Sequence, residues 1–187
     1  MKLVKHLEER GMNPKLYSYA KSYSASTITF YLWNLSGQLV GYQQYRPDKT
    51  SKRENNPRLS RYFTFLKEKD GVFGLELLDS NQKTIYIVEG VFKAAVLHRL
   101  GFNALAVLTN HPKRLKPWFR ILRAQGWNLV AIGDNDSAGQ KLVNCVKSGF
   151  LSPKDIDEMR DNEILSMLTS FVMPPTNVVN AAGSATH

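Results

Sequence analysis

The second half of the sequence alternates between short apolar segments and segments with helical periodicity, and this restricts the possible folds more than any other feature. Predicted strands cover residues 84–88, 104–108 and 129–132, and predicted helices cover residues 91–100, 116–125, 138–147 and 162–171. Such alternation is typical of a parallel sheet whose strands are joined by right-handed helical crossovers. We therefore predict an α/β domain over residues 81–172, with helices flanking the sheet.

Residues 1–80 follow a different pattern and are predicted to form a small α+β subdomain. The predicted elements are a helix at 2–10, hairpin strands at 27–33 and 38–45, a loop at 46–60, and extended segments at 62–65 and 71–78. At the other end, residues 173–187 contain two prolines followed by small polar residues. We predict that this tail is disordered.

Three carboxylates follow the predicted strands of the parallel sheet. Glu89 comes directly after the first strand, and Asp134 and Asp136 follow the third. Chemistry in open parallel sheets collects beyond the carboxyl ends of the strands, and carboxylates gathered there cannot all stay ionised without a cation. Oxygen ligands of this kind suit Mg²⁺ or Mn²⁺. The sequence thus predicts a catalytic metal site, although Asp136 is also placed to cap the helix that follows it.

The net charge of +9 is concentrated in two stretches. Residues 46–69 hold eight basic side chains and three acids, and residues 111–123 hold five basic side chains and no acid. Aromatic residues lie among or beside both stretches: Tyr45, Tyr62, Phe63, Phe65, Trp118 and Phe119. Basic groups that neutralise phosphates and rings that stack on bases are typical of a single-stranded nucleic acid site. Composition alone equally allows a solvated surface with ordinary core aromatics.

Several other function classes are excluded. The single cysteine, Cys145, excludes an internal disulfide and a cysteine-based zinc site, and we predict that it is a small buried residue on a helix. No P-loop motif is present, and no apolar run approaches the roughly 18 residues of a membrane span, so we expect a cytoplasmic protein. His98 is expected near the helix surface, and His111 is a candidate phosphate contact.

Two motifs in the parallel-sheet region resemble a known family. The segment IVEG at 87–90, followed forty-odd residues later by DNDSAG at 134–139, resembles the Toprim domain in the form found in bacterial and phage DNA primases. Upstream, GQLVGY at 37–42 followed by Arg46, and the Arg61-Tyr62 pair, are similar to the N-terminal half of the primase catalytic core. Downstream, KDIDE at 154–158 resembles the lysine-aspartate segment of that family.

The resemblance implies a Toprim fold, a Rossmann-like parallel sheet flanked by helices, and assigns roles to individual residues. Its metal-site acids would be Glu89, Asp134, Asp136 and Asp155, the first three also being catalytic. From the resemblance and the charge pattern together, the expected nucleotide- and nucleic-acid-binding residues are Arg46, Lys52, Arg53, Arg61, Tyr62, Lys93, Lys113 and Arg114.

The resemblance also implies an activity. The chain is expected to make RNA primers on single-stranded DNA from ribonucleoside triphosphates, with Mg²⁺ or Mn²⁺ as cofactor. Because zinc-binding cysteines are missing from these residues, a helicase or a separate template-recognition factor is an expected partner. Two alternatives stay open: a Toprim metal-dependent nuclease, and a degenerate primase core that only binds single-stranded nucleic acid during replication.

Two departures from the family pattern bear on this expectation. Primases usually carry aspartate three residues after the glycine of the Glu-Gly pair, where this chain has Lys93. The first turn of a helix disfavours a lysine, so we expect Lys93 to bend toward solvent, or else to take the place of a metal or pair with a phosphate. The interval 147–153 is also short, and leaves little room for the strand expected before the lysine-aspartate segment.

Overall fold

The structure is a computed structural model that describes residues 3–22, 26–50, 54–67, 70–109 and 111–172. The predicted tail at 173–187 and the predicted binding residues Lys52 and Arg53 lie outside the described residues. Within the described ranges, no helix has both the length and the apolar stretch that crossing a membrane requires.

The N-terminal part forms one helix and a four-stranded antiparallel sheet. Helix α1 (Leu3–Glu9) precedes strands β1 (Tyr19–Ser22), β2 (Thr27–Trp33), β3 (Leu39–Tyr45) and β4 (Tyr62–Leu66), which lie in the order β1-β2-β3-β4. The predicted hairpin is present as β2 and β3, with the Asn34 side chain accepting hydrogen bonds from the backbone amides of Ser36 and Gln38. Strand β1 was not predicted, because most of its residues are exposed and lack an apolar alternation.

The C-terminal part confirms the predicted α/β class. Strands β5 (Thr84–Val88), β6 (Ala104–Ala106), β7 (Asn128–Gly133) and β8 (Gly149–Leu151) form a parallel sheet in the order β6-β5-β7-β8. The helices are α2 (Val91–Arg99), α3 (Lys116–Ala124), α4 (Ser137–Val146) and α5 (Asp161–Val172). Because β5 lies between β6 and β7, the residues that follow β5 and β7 emerge side by side.

Strand β8 corrects the expectation that residues 147–153 leave too little room for a strand. Its three residues pair with the end of β7, with Gly149 opposite Ala131. Gly149 has a φ of +145°, and a β-carbon there would lie 2.1 Å from the carbonyl oxygen of Ala131. Glycine therefore lets the chain enter the sheet only two residues after the end of α4.

Both faces of the parallel sheet are covered, as its continuous apolar strands require. On β5, Tyr86 and Val88 join a cluster with residues of α1, β2, α2 and α5, while Ile85 and Ile87 join a second cluster with residues of α3 and α4. The first cluster combines residues from both sheets. The division into units 1–80 and 81–172 stays a prediction.

Two expectations about local structure need correction. The predicted extended segment at 71–78 is extended only near its start, where Val72 and Phe73 make single bridges to Trp33 and Ala106, and a 3₁₀ turn follows. His98 is not at the surface but is 8% exposed, between the Tyr17 hydroxyl and the Ala104 carbonyl. The reason is that eight of the nine residues of α2 are buried, so this helix has no solvent face. Cys145 is buried, as predicted.

Candidate active site

A cleft of about 790 Å³ opens at the carboxyl ends of the parallel strands. Part of its lining comes from residues that follow β5, β6 and β7 and from the segment after β8. The rest comes from Arg10, just after α1, from Gln43 and Tyr62 of the antiparallel sheet, and from Arg61, just before β4. Both parts of the chain therefore contribute to one cavity, in the place where α/β sheets commonly bind ligands.

The structure brings Glu89, Asp134 and Asp136 to the lining of this cleft. Glu89 and Asp134 are within hydrogen-bonding reach of each other, which follows from the adjacency of β5 and β7. Burial raises the pKa of Glu89 to about 7, and the charge of Asp134 and its hydrogen bond act in the same direction. Glu89 is therefore partly protonated near neutral pH, and a divalent cation bound beside it would favour its ionised form.

Asp136 serves first as the cap of α4. One of its oxygens accepts hydrogen bonds of 2.8 Å from the backbone amides of Ala138 and Gly139, which satisfies the free amides of the first helical turn. The other oxygen is not used in this cap. Asp136 therefore caps α4, as the sequence allowed, and its second oxygen is left for the cleft.

Lys93 points into the cleft, so the expectation that it bends toward solvent is wrong. Its side chain is 11% exposed and its ammonium group donates to Asp134 and, at 2.9 Å, to Oδ1 of Asp155. Burial alone would lower the pKa of Lys93, but hydrogen bonds and charges from both aspartates outweigh it and raise that pKa. The ammonium group stays charged and neutralises two of the four predicted metal-site acids.

The donor set suits one divalent cation. Mg²⁺ is commonly held by one or two carboxylates together with water and substrate phosphates. Glu89 and Asp134 can supply two such carboxylates, whereas the space between Asp134 and Asp155 holds the Lys93 ammonium group. Among the described residues, no three His, Cys, Asp or Glu side chains are arranged as a complete metal cage.

A second ion pair, which the sequence did not indicate, lies in the same cleft. Arg10, just after α1, donates to Asp157, and its guanidinium carbon lies 4.1 Å from the centroid of the Phe92 ring. Burial would lower the pKa of Arg10, but Asp157 raises it above its usual range. Arg10 and Asp157 are 147 positions apart in the sequence, so no local motif could have identified Arg10 as a residue of the cleft.

Arg61 and Tyr62, two of the predicted binding residues, lie in the cleft beside Tyr45. The Arg61 guanidinium carbon is 5.7 Å from the Tyr45 ring centroid and 5.9 Å from that of Tyr62. The Arg61 Nε is buried without a hydrogen-bond partner among the described residues. This arginine is therefore oriented by rings and has donor capacity left for an anion.

The other predicted basic residues that the structure describes lie outside the cleft. Arg46 donates to the Ser60 carbonyl and to the Gln44 side chain, and Lys113 and Arg114 are exposed in a 3₁₀ turn before α3. His111, the candidate phosphate contact, is exposed next to that turn. Of the predicted basic residues, Arg61 and Lys93 therefore line the cleft, whereas Lys113 and Arg114 form a separate surface basic group.

No protein-family model and no curated protein matches the sequence, but solved structures do. The zinc-binding and RNA polymerase domains of the Aquifex aeolicus primase align with a TM-score of 0.59 and 17% identity, covering 90% of this chain and 54% of that one. The primase fragment of the bacteriophage T7 primase-helicase protein aligns with a TM-score of 0.60 and 14% identity, covering 91% and 69%. The chain has the fold of a primase catalytic core.

A further primase catalytic core, a DnaG domain bound to single-stranded DNA, aligns with a TM-score of 0.57 and 15% identity, covering 90% of this chain and 57% of that one. This chain spans about half the length of the Aquifex aeolicus structure. In this chain the IVEG and DNDSAG segments lie at the ends of β5 and β7.

Proposed function

We propose that this chain is a primase-type nucleotidyltransferase that makes RNA primers on single-stranded DNA. The observation that carries the proposal is the close pair Glu89 and Asp134 at the ends of neighbouring strands, in a cleft that also contains Arg61 and Tyr62. The primase fold supports it, as do two structural neighbours. One is a DnaG catalytic domain bound to single-stranded DNA. The other comes from a structure of bacteriophage T7 lagging-strand DNA polymerase interacting with primase domains bound to an RNA/DNA hybrid and dTTP.

In the proposed reaction, a primer 3′-hydroxyl attacks the α-phosphate of a ribonucleoside triphosphate and forms a phosphodiester bond. The bond between the α-phosphorus and the oxygen that bridges to the β-phosphate breaks, pyrophosphate leaves, and the hydroxyl proton passes to water. Glu89 and Asp134 would hold one Mg²⁺ or Mn²⁺, with the free oxygen of Asp136 nearby, and that ion would neutralise charge on the reacting phosphate. Arg61 donates to phosphate oxygens from its ring-stacked position. Tyr62 offers a half-buried ring on which a base can stack.

One assay tests the proposal and separates it from both alternatives. Purified protein is incubated with single-stranded DNA, labelled ribonucleotides and Mn²⁺, and wild type is compared with Asp134→Ala. We expect wild type to make oligoribonucleotides and the variant to make none, because the variant loses one of the two cation ligands. Glu8→Gln, which removes an exposed carboxylate on α1, is the control and should match wild type.

The alternatives predict other results in that assay. A nuclease would degrade labelled DNA with metal alone and without triphosphates. A binding protein would make no product, while Asp134→Ala would retain full affinity for single strands. The binding alternative has one observation in its favour, since Lys93 already neutralises Asp134 and Asp155. Product formed by wild type and lost in Asp134→Ala would exclude it.

The surface basic group is expected to add affinity without taking part in the reaction. The double variant Lys113→Glu, Arg114→Glu should bind single-stranded DNA more weakly. The slope of log K against log salt concentration should become shallower by about 1.4, because roughly two phosphate contacts are lost. Synthesis at saturating template should be unchanged, because both residues lie outside the cleft. Fluorescence anisotropy at several salt concentrations measures the slope.

A matched pair of exposed lysines controls for net charge. The double variant Lys15→Glu, Lys141→Glu has the same total charge change at positions outside the basic stretches. If it weakens binding as much as the first variant does, the effect comes from overall charge, and a specific role for Lys113 and Arg114 is wrong.

A further inference from the structure

The position of Lys93 is unfavourable for a cation in isolation. It is the third residue of α2, where the free backbone amides and the helix dipole disfavour positive charge. Its side chain also gives up water, since it is only 11% exposed. A lysine is held there only because other groups compensate for both costs.

Two carboxylates from distant segments supply that compensation. Asp134 follows β7 and Asp155 follows β8, and the Lys93 ammonium group lies between them as a shared donor. A cation that bridges two carboxylates at strand ends occupies the position that a divalent ion would take.

A second acid of the KDIDE segment, Asp157, is also neutralised. Asp157 is paired with Arg10, and its side chain is 8% exposed. Three acids of the KDIDE segment line the cleft: Asp155, Asp157 and the exposed Glu158. Asp155 and Asp157 each contact a basic side chain already. Glu89, by contrast, contacts another carboxyl group, so it is the acid at the strand ends that a divalent ion would neutralise, with Asp134 as the neighbouring ligand.

We propose that Lys93 is a tethered monovalent cation that replaces a second divalent ion between Asp134 and Asp155, so that the protein binds one divalent ion per chain. A catalytic role for that ion rests on the proposed function, but the number of divalent ions bound per chain does not. A second ion would have to displace the ammonium group from both aspartates and leave that group buried without a partner, which is strongly unfavourable.

The test counts Mn²⁺ ions directly, by electron paramagnetic resonance of free Mn²⁺ during titration of the full chain. We expect one ion per wild-type chain and two per Lys93→Asp chain, because aspartate removes the ammonium group and adds a ligand. Lys141→Asp makes the same charge change at an exposed position of α4 and should still bind one ion. Wild type that binds two ions or none overturns the proposal, as does Lys93→Asp that binds one.

A second variant covers the case in which Lys93→Asp fails to fold. Lys93→Gln removes the charge and adds no new carboxylate. Asp134 and Asp155 then become available to a second Mn²⁺, which we expect to bind with an affinity at least tenfold lower than that of the first. If Lys93 only braces the fold, Lys93→Gln will lower the thermal midpoint and still bind one ion, which overturns the proposal. Counting bound ions does not require the protein to be active. If the ion counts are as expected but no primer is made, the proposed function is refuted and the proposal about Lys93 stands.

Discussion

Replacing Glu89 with glutamine is expected to lower the rate of primer synthesis about a thousandfold or more. Glutamine keeps the size of the side chain but cannot supply the negative charge that holds a divalent ion against Asp134. An ion that stabilises charge on a reacting phosphate contributes several kcal/mol, and about 4 kcal/mol corresponds to a factor of roughly a thousand in rate. Initial rates of ribonucleotide incorporation at saturating template measure the effect.

Two comparisons keep this result interpretable. Glu8→Gln removes an exposed carboxylate far from the parallel-strand ends in sequence and should retain the wild-type rate. The thermal midpoint of Glu89→Gln without metal should not fall, because the substitution removes one charge from a crowded pair of carboxyl groups. A Glu89→Gln rate within tenfold of wild type would refute the assignment of Glu89 to the cation site.

Replacing Gly139 with alanine should produce the largest loss of stability among single-methyl changes near the site. A β-carbon on Gly139 would lie 2.1 Å from the backbone oxygen of Asp134 and 2.4 Å from its backbone nitrogen. Backbone atoms cannot move aside as a flexible side chain can, so the turn between β7 and α4 must shift. We expect a cost of about 3 kcal/mol or more, and a thermal midpoint lower by roughly 6–12 °C.

The other motif glycine provides a matched control. Gly90 precedes α2, has a φ of −127°, and a β-carbon there would meet nothing within 4 Å. Gly90→Ala should therefore cost less than about 1 kcal/mol, the size of an altered helix cap. Thermal and urea unfolding of both variants measure the difference. Equal midpoints would mean that the tight contact between Gly139 and Asp134 relaxes without cost.

The Gly139 contact also explains why the DNDSAG segment could be recognised from sequence. Its features are local: a carboxylate at the end of a strand, a cap of the next helix, and a glycine where the two elements touch. Each depends on residues within about one helical turn of the others. The same holds for β5 and its Glu89, so the α/β class and the gathering of carboxylates at strand ends follow from periodicity and order alone.

Other features depend on segments that are distant in the sequence. Strand β1 is recognisable only by its pairing with β2, since its own residues are mostly exposed. Strand β8 has only three residues, too few for a period to be visible, and it depends on Gly149 fitting against β7. His98 is buried because other elements cover α2 on the side where a typical amphipathic helix would meet solvent.

The amino-acid sequence alone determined the alternation of strands and helices from β5 to α4, the excess of basic residues, and the placement of acids at strand ends. Only the tertiary structure decided which charges those acids meet. Lys93 reaches Asp134 and Asp155 across 41 and 62 positions, and Arg10 reaches Asp157 across 147. The physical reason is that backbone periodicity is a property of neighbouring residues, whereas an ion pair forms between whichever side chains the packed core brings together.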